Sequence, residues 1–275
     1  MKRLLYVIFV VSLVMGLIGC TKRTAVGGEI SGSGSPTIDR ILEQGYINIG
    51  IGTGGPPTGF NDDQGNPIGY DVDWGRKLAE TLGVEPRFVV VNGETRIPAL
   101  TSGRIDVILN NITGTLERAK TIDFSIPYVI VGVKMLTRAE SPYKVVEDLN
   151  KPECKVTLNR GTTSEAIVTQ FAPNAEIVYV TTFSEQVLLV SQGKADAAFE
   201  DSSGIDYVAK NSNGELVAQE KLYSTDPLCL GVRKGDLEFL RFIDMFVSWQ
   251  ITQGWQQETY YKWWGNESPA LKTLW

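Results

Sequence analysis

Short apolar strands alternate with helical stretches twice along this 275-residue chain, and that doubled alternation limits the fold more than any other feature. Residues 47–51 read as a first strand, and a helix runs from about 70 to 82 with Asp71 or its neighbour placed to cap it. Residues 87–91 form a second strand, 95–102 a short helix and 106–109 a third strand. Such βαβα order predicts a largely parallel sheet. The pattern then restarts: strands are expected at 131–136, 155–158, 176–180, 196–200 and 228–232. Helices are expected at 145–149, 163–171, 184–192, near 203–210 and at 237–252. Two α/β lobes accommodate this better than one, because each half carries its own strands and covering helices. The closing helices and the tail 260–264 can return to the first lobe, giving at least two crossing segments. The expected division is 37–129 for lobe one, 130–232 for lobe two, and 233–275 back in lobe one. Sheets of this kind hold ligands beyond the carboxyl ends of their strands, often between domains.

The first forty residues read differently. Met1-Lys2-Arg3 precedes an uncharged apolar run at 4–18, shorter than the roughly 20 residues of a spanning helix but suited to an export leader. Leu17-Ile18-Gly19-Cys20 follows and resembles the bacterial lipoprotein processing signal, in which the leader 1–19 is removed and Cys20 is lipidated. Acyl chains would then hold the protein to a membrane; the alternative is an ordinary membrane anchor with an incidental cysteine. The Gly- and Ser-rich stretch before Pro36 is a flexible tether, so 20–36 links anchor to body and the body begins near Thr37. Outside the cytoplasm Cys154 and Cys229 either pair as a disulfide or serve as two separate small hydrophobes.

Several chemistries are excluded. The chain has no histidine, which removes histidine triads, zinc dyads and imidazole proton shuttles. Three cysteines, one of them assigned to lipid, are too few for a zinc or iron–sulfur centre, so no metal or cofactor is expected. A net charge of −6 argues against a nucleic-acid groove. Gly50, Gly52 and Gly55 match G-x-G-x-x-G, but Pro56-Pro57 denies the helix that a nucleotide fingerprint needs. These glycines instead leave space beside a cleft or let a loop turn. Residues 141–144 match S-x-x-K without its companion motifs.

Three strand ends carry the chemistry. NNITGTLER at 110–118 puts backbone amides, hydroxyls and the Arg118 guanidinium near one point, with Thr115 able to cap the following turn. Such a set suits a small carboxylate, though a surface arginine beside an ordinary cap fits equally. RGTTSE at 160–165 is a second anion-friendly turn, in the other half. DAAFED at 196–201 ends a strand with two acids, either of which can face an α-ammonium group or act as a solvated cap.

Over 47–265 the chain resembles the polar-amino-acid solute-binding proteins of bacterial ABC importers. The likeness is carried by GYDVDWGRKLAETLG, IPALTSGRIDVI, NNITGTLERAKTIDFSIPY, RGTTSE, GKADAAFED, LGVRKGD and YYKWWG in that order. It implies an extracytoplasmic, monomeric, two-lobed α/β periplasmic-binding-protein-like fold with two crossing hinge strands. It also implies rigid-body closure on an amino acid, a membrane permease and, through it, a cytosolic ATPase. By the family pattern Arg118 holds the α-carboxylate, Thr113 adds its amide and hydroxyl, and the Asn111 carbonyl faces the ammonium. Thr163 approaches the carboxylate from lobe two, and Asp201 is the counter-ion of the ammonium. Gly114 and Leu116 depart from the usual isoleucine and proline, which alters loop packing only.

The resemblance also bears on ligand choice. Basic-amino-acid binders usually carry an acid and an aromatic where this chain has Gly52 and Gly55, and a further aromatic at Gly93, so cationic ligands are disfavoured. Arg96 resembles the arginine of acidic-amino-acid and some cystine-type binders, and favours aspartate or glutamate, then glutamine, asparagine or cystine. Its alternative is a surface ion pair with Glu94 or Asp73. A dehydratase or lyase on the same scaffold, with Glu200 or Glu94 as general acid, is the catalytic alternative; a sensory module is the other.

Overall fold

A computed structural model describes residues 32–269, so the expected leader 1–19 and the lipidation site Cys20 lie outside the described residues. The first helix begins slightly earlier than Thr37. Ser35 caps a first helix, α1 (Pro36–Gln44), its hydroxyl accepting from the Ile38 amide at 3.1 Å. This short helix was not evident in the Gly/Ser-rich entry to the body.

The first sheet contains β1 (Tyr46–Ile51), β4 (Glu85–Val90), β5 (Val107–Leu109), β6 (Ile122–Val131) and β12 (Asp226–Arg233), in the order β4-β1-β5-β12-β6. Between β1 and β4 lie a small hairpin, β2 (Phe60–Asn61) with β3 (Pro67–Ile68), and helix α2 (Tyr70–Leu82); α3 (Arg96–Thr101) precedes β5. The second sheet runs β11-β7-β10-β8-β9, from β7 (Val133–Arg138), β8 (Lys155–Asn159), β9 (Glu176–Val180), β10 (Ala197–Asp201) and β11 (Leu216–Ala218). Its helices are α4 (Thr163–Phe171), α5 (Phe183–Ser191) and α6 (Ser202–Asn211), while α7 (Leu237–Thr252) and α8 (Trp255–Trp264) end the chain. Each sheet is mixed: four strands, three of them joined by helices, run one way, and a single strand, β12 in the first sheet and β7 in the second, runs against them.

Two differences from expectation concern the crossings. Residues 226–232 were placed with lobe two, yet β12 pairs with β5 and β6 in the first sheet. Residues 122–130 were given no strand, yet they form most of β6. Pro127 explains the omission, since a proline disqualifies an interior strand. Here β6 is the sheet edge and Pro127 sits opposite Cys229 at a register irregularity, where the missing N–H costs little. The chain passes to the second sheet at Gly132 and comes back by way of residues 219–225.

Each lobe buries its own core. In the first, Tyr70, Trp74 and Tyr128 pack with Phe246, Tyr260 and Trp264 from the terminal helices. Cys154 belongs to the core of the second lobe, whereas Cys229 sits on β12 in the first. Both are free, buried thiols, which corrects the disulfide alternative in favour of two separate small hydrophobes, one in each lobe.

Candidate functional site

A cavity of about 290 Å³ lies where the strand ends of the two sheets face each other. Asn111, Thr113 and Arg96 line it from lobe one; Thr163 and Asp201 line it from lobe two. Arg118 is not among its lining residues. Its Nη1 donates to the Thr113 carbonyl at 2.8 Å and its Nη2 to the Gly161 carbonyl, in the other lobe, at 2.9 Å. The guanidinium therefore stands directly behind Thr113 and ties the lobes together. Thr115 accepts from the Arg118 amide at 3.2 Å, as the sequence suggested, but the turn it caps is a single 3-10 turn, Arg118–Lys120.

The lobes are closed on each other. The Ser184 amide donates to the Gly54 carbonyl at 2.8 Å, and the Thr163 hydroxyl donates to Asp226 Oδ2 at 3.2 Å. A Cβ added at Gly93 would lie 2.4 Å from the Arg160 carbonyl oxygen, so backbone meets backbone there. Gly161 across the seam has φ +73 as well.

Thr162 caps α4, its hydroxyl accepting from the Glu165 amide at 3.3 Å. The amides of Thr163 and Ser164 fall in the first turn, which has no intrahelical acceptor for them, and both residues line the cavity. That is an anion-binding end. Asp201 ends β10 in the capping position of α6 but makes no capping hydrogen bond. Its side chain is 5% exposed and accepts no protein hydrogen bond among the described residues. Burial first, then Glu200 and Asp226 nearby, push its carboxyl well above the usual range. A buried acid in this state gains strongly from an arriving cation.

Arg96 is buried and pairs with neither Glu94 nor Asp73. Its Nη1 donates to the carbonyls of Asn110 at 2.6 Å and Asn111 at 3.3 Å, and its Nε has no protein acceptor. Burial and then Arg118 pull it down to about 10. The Asn111 carbonyl, expected to be free for an ammonium, is thus already shared with Arg96.

Two lining groups, Asp71 and Phe183, escaped the sequence reading as ligand-side residues, and a third, Glu200, was singled out there only as an alternative counter-ion or acid. Asp71 was expected to cap α2, but it makes no cap and Gly69 holds that position. Its carboxylate instead accepts from the Tyr128 hydroxyl at 2.7 Å and the Asn111 amide at 3.1 Å. Asn111 has φ +43, a left-handed conformation that Asn tolerates better than most residues, and Asp71 braces it there. Burial raises Asp71 to about 6 against those hydrogen bonds. Glu200 and Phe183 reach the cavity from lobe two, so the acid and the aromatic missing from lobe one are supplied from the opposite side. Burial raises Glu200 as well.

Residues 47–266 match the model of the bacterial extracellular solute-binding proteins, family 3. The chain belongs to that family. A glutamine-binding protein of an ABC transporter from Bacillus subtilis is 30% identical, over 92% of this chain and 93% of its own length. An L-cystine-binding protein from Escherichia coli K12 is 28% identical, over 83% of this chain and 86% of its own. Among solved structures, truncated ArgBP of T. maritima in its arginine-bound form is 34% identical, with a TM-score of 0.71, covering 77% of this chain and 98% of that one. The family's two-lobed α/β architecture is the one described above.

Proposed function

We propose that this family member binds a free polar α-amino acid with an uncharged or internally balanced side chain, and hands it to an ABC importer. Asp201 carries the reading: it is a buried carboxylate with no protein hydrogen-bond partner among the described residues, and it lines one small cavity together with Thr113 and the open first turn of α4. The ammonium sits on Asp201. The carboxylate sits on Thr113 and the Thr163–Ser164 amides, with the charge of Arg118 behind them rather than in direct contact.

At the side-chain end one base and one acid remain. Half of the Arg96 fork is spent on two carbonyls, and Asp71 is spent on Tyr128 and Asn111, which leaves Arg96 Nη2 and Glu200 to face a ligand. A carboxylate side chain would gain Arg96 but meet Glu200, and a cation the reverse, so neither single charge suits the pair. A side chain with both a donor and an acceptor satisfies the two, which moves the preference from aspartate and glutamate to glutamine, asparagine or cystine. The relatives named for glutamine and cystine support that order. Glu200 is thus a ligand partner in this reading rather than the general acid of a lyase.

The closed form alone presents both halves of the site, so ligand shifts the hinge equilibrium and the importer meets the closed shape. Cys20 anchors the protein at the outer side of the membrane, with the Gly/Ser tether as its leash. The test is calorimetric titration of the parent and Asp201→Asn with glutamine, glutamate and arginine. The parent should bind glutamine most tightly, and the variant should lose about 2–4 kcal/mol, or about 30- to 1000-fold. Unchanged affinity in the variant sinks the assignment.

A further inference from the structure

The carboxylate end of the cavity is fastened from behind by one strand, β12. The Gly114 amide donates to the Pro227 carbonyl at 2.9 Å and the Cys229 amide to the Ile112 carbonyl at 3.1 Å, so the loop that carries Thr113 is zipped onto residues 227–229. Asp226 comes immediately before this zip, where the chain returns from lobe two, and it is 7% exposed. Its Oδ2 accepts from the Thr163 hydroxyl at 3.2 Å and from the Ser224 hydroxyl at 3.0 Å. Ser224 Oγ in turn accepts from the Val133 amide at 3.0 Å, just past the first crossing at Gly132. One carboxylate thus gathers lobe two's anion-binding turn, both crossing segments and, through its own strand, the loop of lobe one that faces the ligand's carboxylate.

This placement has two effects on a bound amino acid. The Thr163 hydroxyl is engaged by Asp226, so the amides of that turn are what remain for the ligand. The second effect is electrostatic. Both hydrogen-bonding nitrogens of Arg118 go to carbonyls, those of Thr113 and Gly161, and a carbonyl leaves the guanidinium charge uncancelled. Burial pulls Arg118 down, and Asp226, ahead of Asp201, counters it. Partly buried charges are screened little by salt, so the carboxylate that offsets Arg118 also opposes a ligand carboxylate held on Thr113.

We propose that Asp226 is a positioning residue that limits affinity: it fixes the lobe-two turn through Thr163 while withholding from the ligand's α-carboxylate the charge that Arg118 would lend it. The proposal rests on the amino-acid reading above and deepens it. Such a counter-charge keeps the turn in place and leaves the ligand releasable, which delivery to an importer requires.

The full chain is titrated calorimetrically with L-glutamine and L-asparagine. Asp226→Asn keeps an oxygen for Thr163 and Ser224 and removes the charge, so it should bind both ligands about fivefold or more tightly than the parent. A carboxylate with only a structural role would give a loss instead. Thr163→Val keeps the backbone amide and the side-chain volume but removes the hydroxyl. It should weaken binding about fivefold or more in the parent, and less than about twofold in Asp226→Ala, where the hydroxyl has lost its acceptor. If Asp226→Ala does not fold, Asp226→Asn decides alone. Weaker or unchanged binding by Asp226→Asn, or an equal cost of Thr163→Val in both backgrounds, overturns the role of Asp226 and leaves the amino-acid reading intact. A parent that binds neither ligand overturns both.

Discussion

Gly93→Ala tests closure without touching ligand chemistry. Gly93 has no positive φ, so alanine is allowed by the backbone, and only the seam resists it. The new Cβ would lie 2.4 Å from the Arg160 carbonyl oxygen, whereas carbon–oxygen contacts settle at about 3.3 Å or more. The lobes must therefore part by about 0.9 Å at that point. The Arg118–Gly161 bond at 2.9 Å and the Ser184–Gly54 bond at 2.8 Å would stretch beyond useful hydrogen-bond length. One neutral bond and one charge-assisted bond are together worth about 2–4 kcal/mol, and the loss falls on the closed state alone. Ligand affinity should drop by about 30- to 1000-fold, while the melting temperature without ligand stays that of the parent. Calorimetry gives the affinity, and small-angle scattering with saturating ligand gives the compaction. Affinity within about threefold of the parent, with full compaction, would refute the seam as the limit on closure.

The remaining predictions concern buried groups. Because folding raises Asp71 from 3.8 to about 6, the folded state holds a proton there that the unfolded chain releases. Stability should therefore fall as pH rises across that window, by up to about 3 kcal/mol. Asp71→Asn should flatten this part of the profile in urea unfolding at stepped pH; parallel profiles would contradict it. For the cysteines, Cys154 and Cys229 should each take up iodoacetamide in denaturant without prior reduction and resist it when folded, because both are buried and the Cys229 thiol is pushed up to about 12. Mass spectrometry showing these two residues unlabelled until reductant is added would restore the disulfide.

Local pattern carried much of this architecture. The stretch 237–252 has apolar residues at helical spacing and an acid at its start, and α7 occupies those same residues, with Asp236 accepting from the Phe239 amide at 2.9 Å. Likewise the polar strand ends at 110–113, 162–163 and 200–201 line the cleft, because crevices of such sheets form at the carboxyl ends of their strands. Pairing was harder to see. Which sheet β12 joins depends on β6, and the Pro127 that hides β6 is tolerated only because no further strand lies outside it. Asp71 looked like a helix cap because acids near a helix start usually are; only Tyr128, 57 residues away, reveals its task. Arg118 looked like a carboxylate ligand, and its reach across to Gly161 depends on how far the lobes close, which no local motif encodes.

Ligand choice was the least legible property, for a reason that bears on mechanism. In the sequence, Gly52, Gly55 and Gly93 of lobe one stand where basic-amino-acid binders carry recognition side chains. The structure shows what two of those positions admit: a Cβ at Gly55 would be 3.0 Å from Ser184 Oγ, and one at Gly93 would strike Arg160. Residues of lobe two occupy the space that side chains on lobe one would have filled. In the proposed reading lobe one reaches the ligand's side chain through Arg96, while Glu200 and Phe183 come from the other lobe. Discrimination between amino acids then belongs to the closing step rather than to first docking, because only closure brings the distal groups within reach. Competing amino acids should accordingly differ more in how completely they close the lobes than in how fast they first associate. The same glycines that blur the specificity signal in the sequence are what allow one lobe to read the ligand on behalf of both.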